Sequence, residues 1–167
     1  MLHHIMQLLK QRYNMLQLNL PIFTPKLKKI DGEIHIFDQI RKKYLFLTPE
    51  EWVRQSFLNY LIHHKGYPLS LMENEASIKL NNMSRRCDTV VYNNRLEPLV
   101  IVEYKRPTVK IDQQVFDQIV RYNIVLRVDF LIVSNGLSHF CCKMNYDDQS
   151  YSFLEEIPEY QELRIKS

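Results

Sequence analysis

Apolar positions recur along the 167-residue chain with two periods, and the switches between them mark out elements. Val53, Phe57, Tyr60, Leu61 and His64 fall at helical spacing. Thr48 stands where a cap belongs, Pro49 suits a first helical position, Glu51 lies three residues beyond the cap, and Gly66 marks the end. Residues 111–127 predict a second helix, with Val115, Ile119, Tyr122 and Leu126 on one stripe. Lys26–Ile30 and Glu33–Phe37 flank Asp31-Gly32, a pair that accepts the positive φ of a tight turn, and predict an N-terminal hairpin. Residues 69–80 predict a strand. Thr89–Tyr92 and Pro98–Val102 flank the turn-like stretch Asn93–Glu97 and predict a second hairpin. Phe130–Val133 reads as a buried strand, Asn135-Gly136 as a turn, and His139–Met144 as a further strand. The expected class is α/β (α+β), a mixed central sheet flanked by helices, with an extra N-terminal hairpin. Residues 1–19 are expected as a short helix or arm, and residues 20–167 as one domain with its core at about 47–145.

Charge interrupts this pattern at two strand edges. Glu103-Tyr104-Lys105 ends the most apolar run of the chain, and Asp88 follows the basic approach Arg85-Arg86-Cys87. Side chains alternate between sheet faces, so Glu103 and Lys105 share a face with Leu99 and Ile101, while Asp88 shares one with Val90 and Tyr92. An antiparallel hairpin would bring Asp88 beside Glu103, although they are fifteen residues apart. Two carboxylates that close repel unless a cation sits between them. Mg²⁺ prefers oxygen ligands and often takes only one or two carboxylates plus a substrate phosphate.

Composition narrows the choices modestly. The formal net charge of +3 is too small to indicate nucleic-acid binding by itself. Three glycines argue against a phosphate-cradling loop, and so against a nucleotide-driven motor. Three cysteines, two of them adjacent, fit neither a disulfide framework nor a zinc site, and are expected as reduced thiols in a cytoplasmic protein. No run reaches membrane-spanning length, and the first ten residues do not read as a signal peptide. The six histidines are scattered and are assigned no metal.

Asp88 followed by Glu103-x-Lys105 across a hairpin resembles the core of the PD-(D/E)xK nuclease superfamily. The resemblance is closer to the N-terminal nuclease domain of type I restriction enzyme R subunits, over residues 47–160. It includes Thr48–Gln55, Gly66-Tyr67-Pro68, Arg85–Asp88, Ile101–Pro107, Val115–Asn123 and Ser134-Asn135-Gly136. Cys87 stands where the superfamily has its name-giving proline, which is not a ligand.

The resemblance implies a restriction-endonuclease-like fold and a Mg²⁺-dependent DNA endonuclease, with Mn²⁺ able to substitute. It implies Asp88 and Glu103 as metal ligands, the Tyr104 carbonyl as a third, and Lys105 as the group that positions water or stabilises transition-state charge. Gln118 and Tyr122, four apart on one helix face, match a Gln-x-x-x-Tyr motif that shapes the site and the approach of DNA. A glutamate on the first helix is expected to reach the metal through water. Family spacing favours Glu51, while Glu50 lies in register with Val53 and Phe57. Arg86, Arg106 and Arg121 are candidate backbone contacts. Methylation and specificity subunits are the implied partners, the chain is expected to lack the translocase, and oligomeric state is left open. The alternative is a catalytically idle DNA-binding or assembly module that retains the nuclease fold.

Overall fold

Asp31 and Gly32 adopt φ of 49° and 85° and join β1 (Leu27–Ile30) to β2 (Glu33–Asp38), as their turn preferences predict. This is a computed structural model that describes residues 17–166 together with Gln7, Leu9 and Lys10. The segment expected as a helix or arm lies mostly outside the described residues. A third strand, β3 (Lys43–Phe46), pairs with β2, so the expected hairpin is part of a three-stranded antiparallel sheet. One face of this sheet packs Leu27, Ile34 and Ile36 against Leu9, Leu47 and Trp52.

Helix α1 (Pro49–His64) starts where Thr48 Oγ1 accepts from the Glu51 amide at 3.0 Å. Its residues from Trp52 to Leu58 are buried without interruption. The helix is enclosed because it has two partners. Val53, Phe57 and Leu61 face the main sheet, and Trp52 faces the small one. Amphipathic spacing therefore describes only one of its buried sides.

The main sheet contains β4 (Met72–Leu80), β5 (Met83–Tyr92), β6 (Pro98–Tyr104), β7 (Phe130–Ser134), β8 (His139–Asn145) and β9 (Ser150–Phe153), in that spatial order. Only β6 and β7 are parallel, and α2 (Gln113–Asn123) lies in the crossover between them. Val100, Val102, Phe130 and Ile132 pack with α1 and with α3 (Tyr160–Lys166), whereas Val90, Ile101, Leu131 and Val133 pack with α2. The sheet is thus mixed and covered on both faces, as expected.

Four details differ from the sequence reading. Asp112 caps α2 and the helix stops at Asn123, followed by a single 3₁₀ turn at Ile124–Leu126. Its buried stripe is Phe116, Ile119, Val120 and Asn123, because Phe116 joins a ring cluster with Phe140, Tyr151 and Phe153. Tyr122, expected on that stripe, is 42% exposed. A bulge at Val91/Tyr92 shifts the β5–β6 register and sends Leu99 to the α1 side, away from Ile101. Strand β9 and helix α3 were not anticipated.

A buried polar chain crosses from the small sheet into the main one. Asn74 Nδ2 donates to Asp38 Oδ2 at 2.9 Å, Thr89 Oγ1 donates to Asn74 Oδ1 at 2.6 Å, and Thr89 Oγ1 lies 3.0 Å from the Tyr104 hydroxyl. Burial opposes the Asp38 charge, yet the Arg41 amide, Asn74 and the Arg41 guanidinium hold its carboxyl below the usual carboxylate range. Asn74→Ala leaves Asp38 and Thr89 each short of a buried partner. A loss of about 2–3 kcal/mol in unfolding free energy is expected from urea denaturation.

Candidate active site

Strand register brings the two separated acids together. Thr89 pairs with Val102 and Val90 with Ile101, and the same register sets Asp88 across from Glu103. At that point Asp88 turns its carboxylate onto the neighbouring strand: Tyr104 N–H donates to Asp88 Oδ2 at 2.9 Å. Asp88 keeps a side chain 24% exposed. Glu103 is deeper, and its Oε1 is buried with no hydrogen-bond partner. Burial, the Asp88 charge and a hydrogen bond to Asp88 push the Glu103 carboxyl up to about 8, against the opposing pull of the Lys105 ammonium and the Asn123 amide. The pair therefore holds a proton near neutral pH in the absence of another cation.

Three charged groups from α1 border this pair. Burial and the Asp88 charge raise the Glu50 carboxyl, while Arg54 and Lys105 oppose the rise. Glu51 is engaged elsewhere. Its carboxylate accepts from Arg41 at 3.2 Å and Gln55 at 2.8 Å, and its own amide is capped by Thr48. Of the two glutamates, Glu50 is the one coupled to Asp88 and Lys105. Family spacing pointed to Glu51, but the ion pair with Arg41 of the small sheet could not be read from spacing.

Arg54 is the third group, and sequence reasoning missed it. Its side chain is 4% exposed, 2.7 Å from Glu75, 3.7 Å from Asp88 and 3.8 Å from Glu51. The guanidinium also lies 5.6 Å from the centre of the Tyr104 ring. Burial disfavours its charge, but Glu51, Glu75 and Asp88 raise its pKa above the ordinary arginine value. An arginine among the apolar positions Trp52, Val53, Phe57 and Leu58 was the available signal. Glu75 stands opposite Asp88 with φ 56° in the middle of β4, and bridges Arg54 to Arg86 at 2.7 and 2.6 Å. A left-handed glutamate inside a strand costs about 1–3 kcal/mol, and here it aims a carboxylate at two guanidiniums.

Asn123 was also missed. It sits on the buried stripe of α2, where its Nδ2 donates to the Ile119 carbonyl at 2.9 Å and its Oδ1 has no partner. Its amide favours the ionised form of Glu103. A polar residue in register with Phe116, Ile119 and Val120 was the signal. The motif residues beside it face outward. Gln118 is exposed, and Tyr122 lies under the Arg85 guanidinium, 4.0 Å from ring centre to carbon. Arg106 and Arg121 are exposed, and Arg86 is 71% exposed while paired with Glu75.

Among the described residues, no group of three or more His, Cys, Asp or Glu side chains is arranged to hold a metal. The donor set is smaller: Asp88, Glu103 and backbone oxygen at the end of β6. The buried, unpartnered Glu103 Oε1 beside a second carboxylate fits a hard divalent cation that retains waters. A cleft of about 380 Å³ lined by Phe116, Phe140 and Phe153 contains none of these residues.

The fold is that of a restriction-enzyme subunit domain. A solved structure described as a fragment of an HsdR subunit of a type I restriction enzyme, from Vibrio vulnificus YJ016, superposes with a TM-score of 0.51 at 17% identity over 70% of the chain. The chain spans 25% of that structure's length. The family of type I restriction enzyme R protein N termini matches residues 49–158, and the chain belongs to it. No curated protein matches the sequence. Among the described residues, no helix is long and apolar enough to cross a membrane.

The raised Glu103 pKa gives a signed expectation. The folded protein retains a proton that the unfolded chain releases above about 4.5, so this group's contribution to stability declines as pH rises from about 4.5 to about 8. Glu103→Gln removes that decline. In metal-free buffer with EDTA, the variant is expected to melt above the parent at pH 8, by on the order of a few kcal/mol, and the gap to close near pH 4.5.

Proposed function

We propose that the chain is a Mg²⁺-dependent endonuclease domain that hydrolyses DNA phosphodiesters, as part of a type I restriction system R-subunit-like protein. The observation that carries this reading is the close approach of Asp88 and a Glu103 carboxyl that keeps one oxygen buried without a partner, at a partly exposed strand end with Lys105 beside it. Such an arrangement is unfavourable by itself and becomes favourable with a divalent cation.

Asp88 and Glu103 would hold the metal together with the Tyr104 carbonyl. The metal would supply Lewis-acid polarisation of a phosphoryl oxygen and a water of lowered pKa. Lys105 holds a positive charge where negative charge develops on the phosphate. Glu50, rather than Glu51, is the α1 carboxylate available to bind a water beside the metal. Arg54 and the Tyr104 amide keep Asp88 in one orientation. Asn123 holds Glu103 from the α2 side as a positioning residue. Gln118 and Tyr122 present the outer face of α2 to DNA, with Arg86, Arg106 and Arg121 as phosphate contacts. Methylation and specificity subunits are the corresponding partners of the whole assembly, and Mn²⁺ would substitute for Mg²⁺.

Supercoiled plasmid incubated with Mg²⁺ or Mn²⁺ tests the proposal. Nicking by the parent chain is expected to fall at least 100-fold in Asp88→Ala, Glu103→Ala and Lys105→Ala, with folding checked by circular dichroism. Glu50→Gln is expected to lose more activity than Glu51→Gln. Cleavage retained in all three alanine variants would remove the mechanism. Salt-sensitive binding with no nicking would favour the idle-module alternative.

A further inference from the structure

The small sheet carries a feature that the hydrolytic edge does not use. Its inner face packs against Trp52, whereas its outer face forms two cross-strand rungs. Phe37 N–H donates to the Lys26 carbonyl at 2.9 Å, and Phe37 pairs with Tyr44, giving the rung Lys26–Phe37–Tyr44. Lys28 pairs with His35, and His35 with Phe46, giving Lys28–His35–Phe46. Phe37 and Tyr44 have ring centres 5.2 Å apart, and His35 and Phe46 are 5.9 Å apart. The ammonium groups sit over the rings: Lys26 Nζ lies 5.5 Å from Phe37 and Lys28 Nζ lies 5.9 Å from Tyr44. Two rings at the far edge stay open, with Tyr44 37% and Phe46 49% exposed.

Charge is concentrated in the same segment. Residues 26–46 hold six lysines and arginines against three acids, a surplus equal to the formal +3 of the whole chain. The remainder is balanced. One of those acids, Asp38, is buried and paired with Arg41, which removes one charge of each sign and leaves the surplus unchanged. Exposed rings alone would fit many partners. Paired rings with two ammonium groups over the Phe37–Tyr44 pair fit a ligand that offers flat faces and negative charge.

We propose that this face is a second nucleic-acid contact, a stacking platform for an unpaired DNA strand, on a different sheet from the Asp88–Glu103 pair. Tyr44 and Phe46 stack bases, and Lys26 and Lys28 neutralise phosphates on the β1 side. Rungs two residues apart are separated by about 6.8 Å along the strand, which leaves room for one base on each. Paired bases present edges rather than faces, so a duplex cannot use the rings. The choice of DNA over RNA rests on the function proposed above.

The test is fluorescence anisotropy of a labelled oligothymidylate with the full chain in EDTA. Cleavage is silent there, so the outcome is independent of the hydrolysis. Tyr44→Ala/Phe46→Ala is expected to weaken binding at least tenfold, since each stacked base contributes about 1–3 kcal/mol. Lys26→Gln/Lys28→Gln is expected to reduce the slope of log affinity against log salt by about 1.4, at about 0.7 per single-strand phosphate. Unchanged affinity in the ring variant, or preference for a duplex or for an oligouridylate, overturns the proposal.

Discussion

Two carboxylates held face to face by strand register are the constraint on which the site depends. Asp88 cannot move away from Glu103 without giving up its hydrogen bond to the Tyr104 amide, and Glu103, half-buried as a residue, keeps its Oε1 out of solvent. The repulsion is therefore structural. Opposing it are burial and the Asp88 charge, which favour a proton on Glu103, the buried cation Arg54 against Asp88, and Lys105 one residue beyond the strand end. The proton, Arg54 and Lys105 each put positive charge where a metal would also be favoured. A divalent ion between the carboxylates would displace the proton, which couples its affinity to pH in the direction of tighter binding as pH rises towards 8.

Rigidity around that pair comes from two polar systems rather than from apolar packing alone. The chain Asp38–Asn74–Thr89–Tyr104 ties the small sheet to the three strands that carry the site. The Arg54–Glu75–Arg86 bridge fixes the opposite side of Asp88 from β4 and α1. Buried networks of this kind are favourable only when most members are satisfied. Among the described residues five buried side-chain atoms lack a hydrogen-bond partner: Glu103 Oε1, Asn123 Oδ1 and Arg54 Nε on residues at or beside the pair, and Trp52 Nε1 and Ser56 Oγ elsewhere on α1. Three of these five thus lie where a ligand would supply the missing bonds.

Periodicity and turn chemistry were enough to read α1 and α2, the Asp31-Gly32 hairpin and the β5–β6 hairpin. The hairpin reading placed Asp88 near Glu103, because register follows from alternation once two strands are known to be adjacent. Residues whose roles depend on a third element stayed hidden. Arg54 looks like an ordinary helical arginine until β4 and β5 supply Glu75 and Asp88. Glu50 and Glu51 differ by one helical step, and only the position of Arg41 separates them. The stripe of α2 was misjudged by one position because the Phe116 ring cluster draws on β9, a four-residue strand beside a polar turn.

The distribution of charge follows from the same economy of placement. Around Asp88 and Glu103, Arg54 and Arg86 pair with Glu75, and Arg41 pairs with Asp38 and Glu51, while Lys105 acts on Glu50 and Glu103. The surplus of positive charge sits on the small sheet, whose β2 is tied to the main sheet through Asp38 by the polar chain that ends at Tyr104. The two fields, a carboxylate pair and a surplus of positive charge, lie on different sheets. The buried chain from Asp38 to Tyr104 keeps the two fields in fixed relation while leaving each on its own sheet.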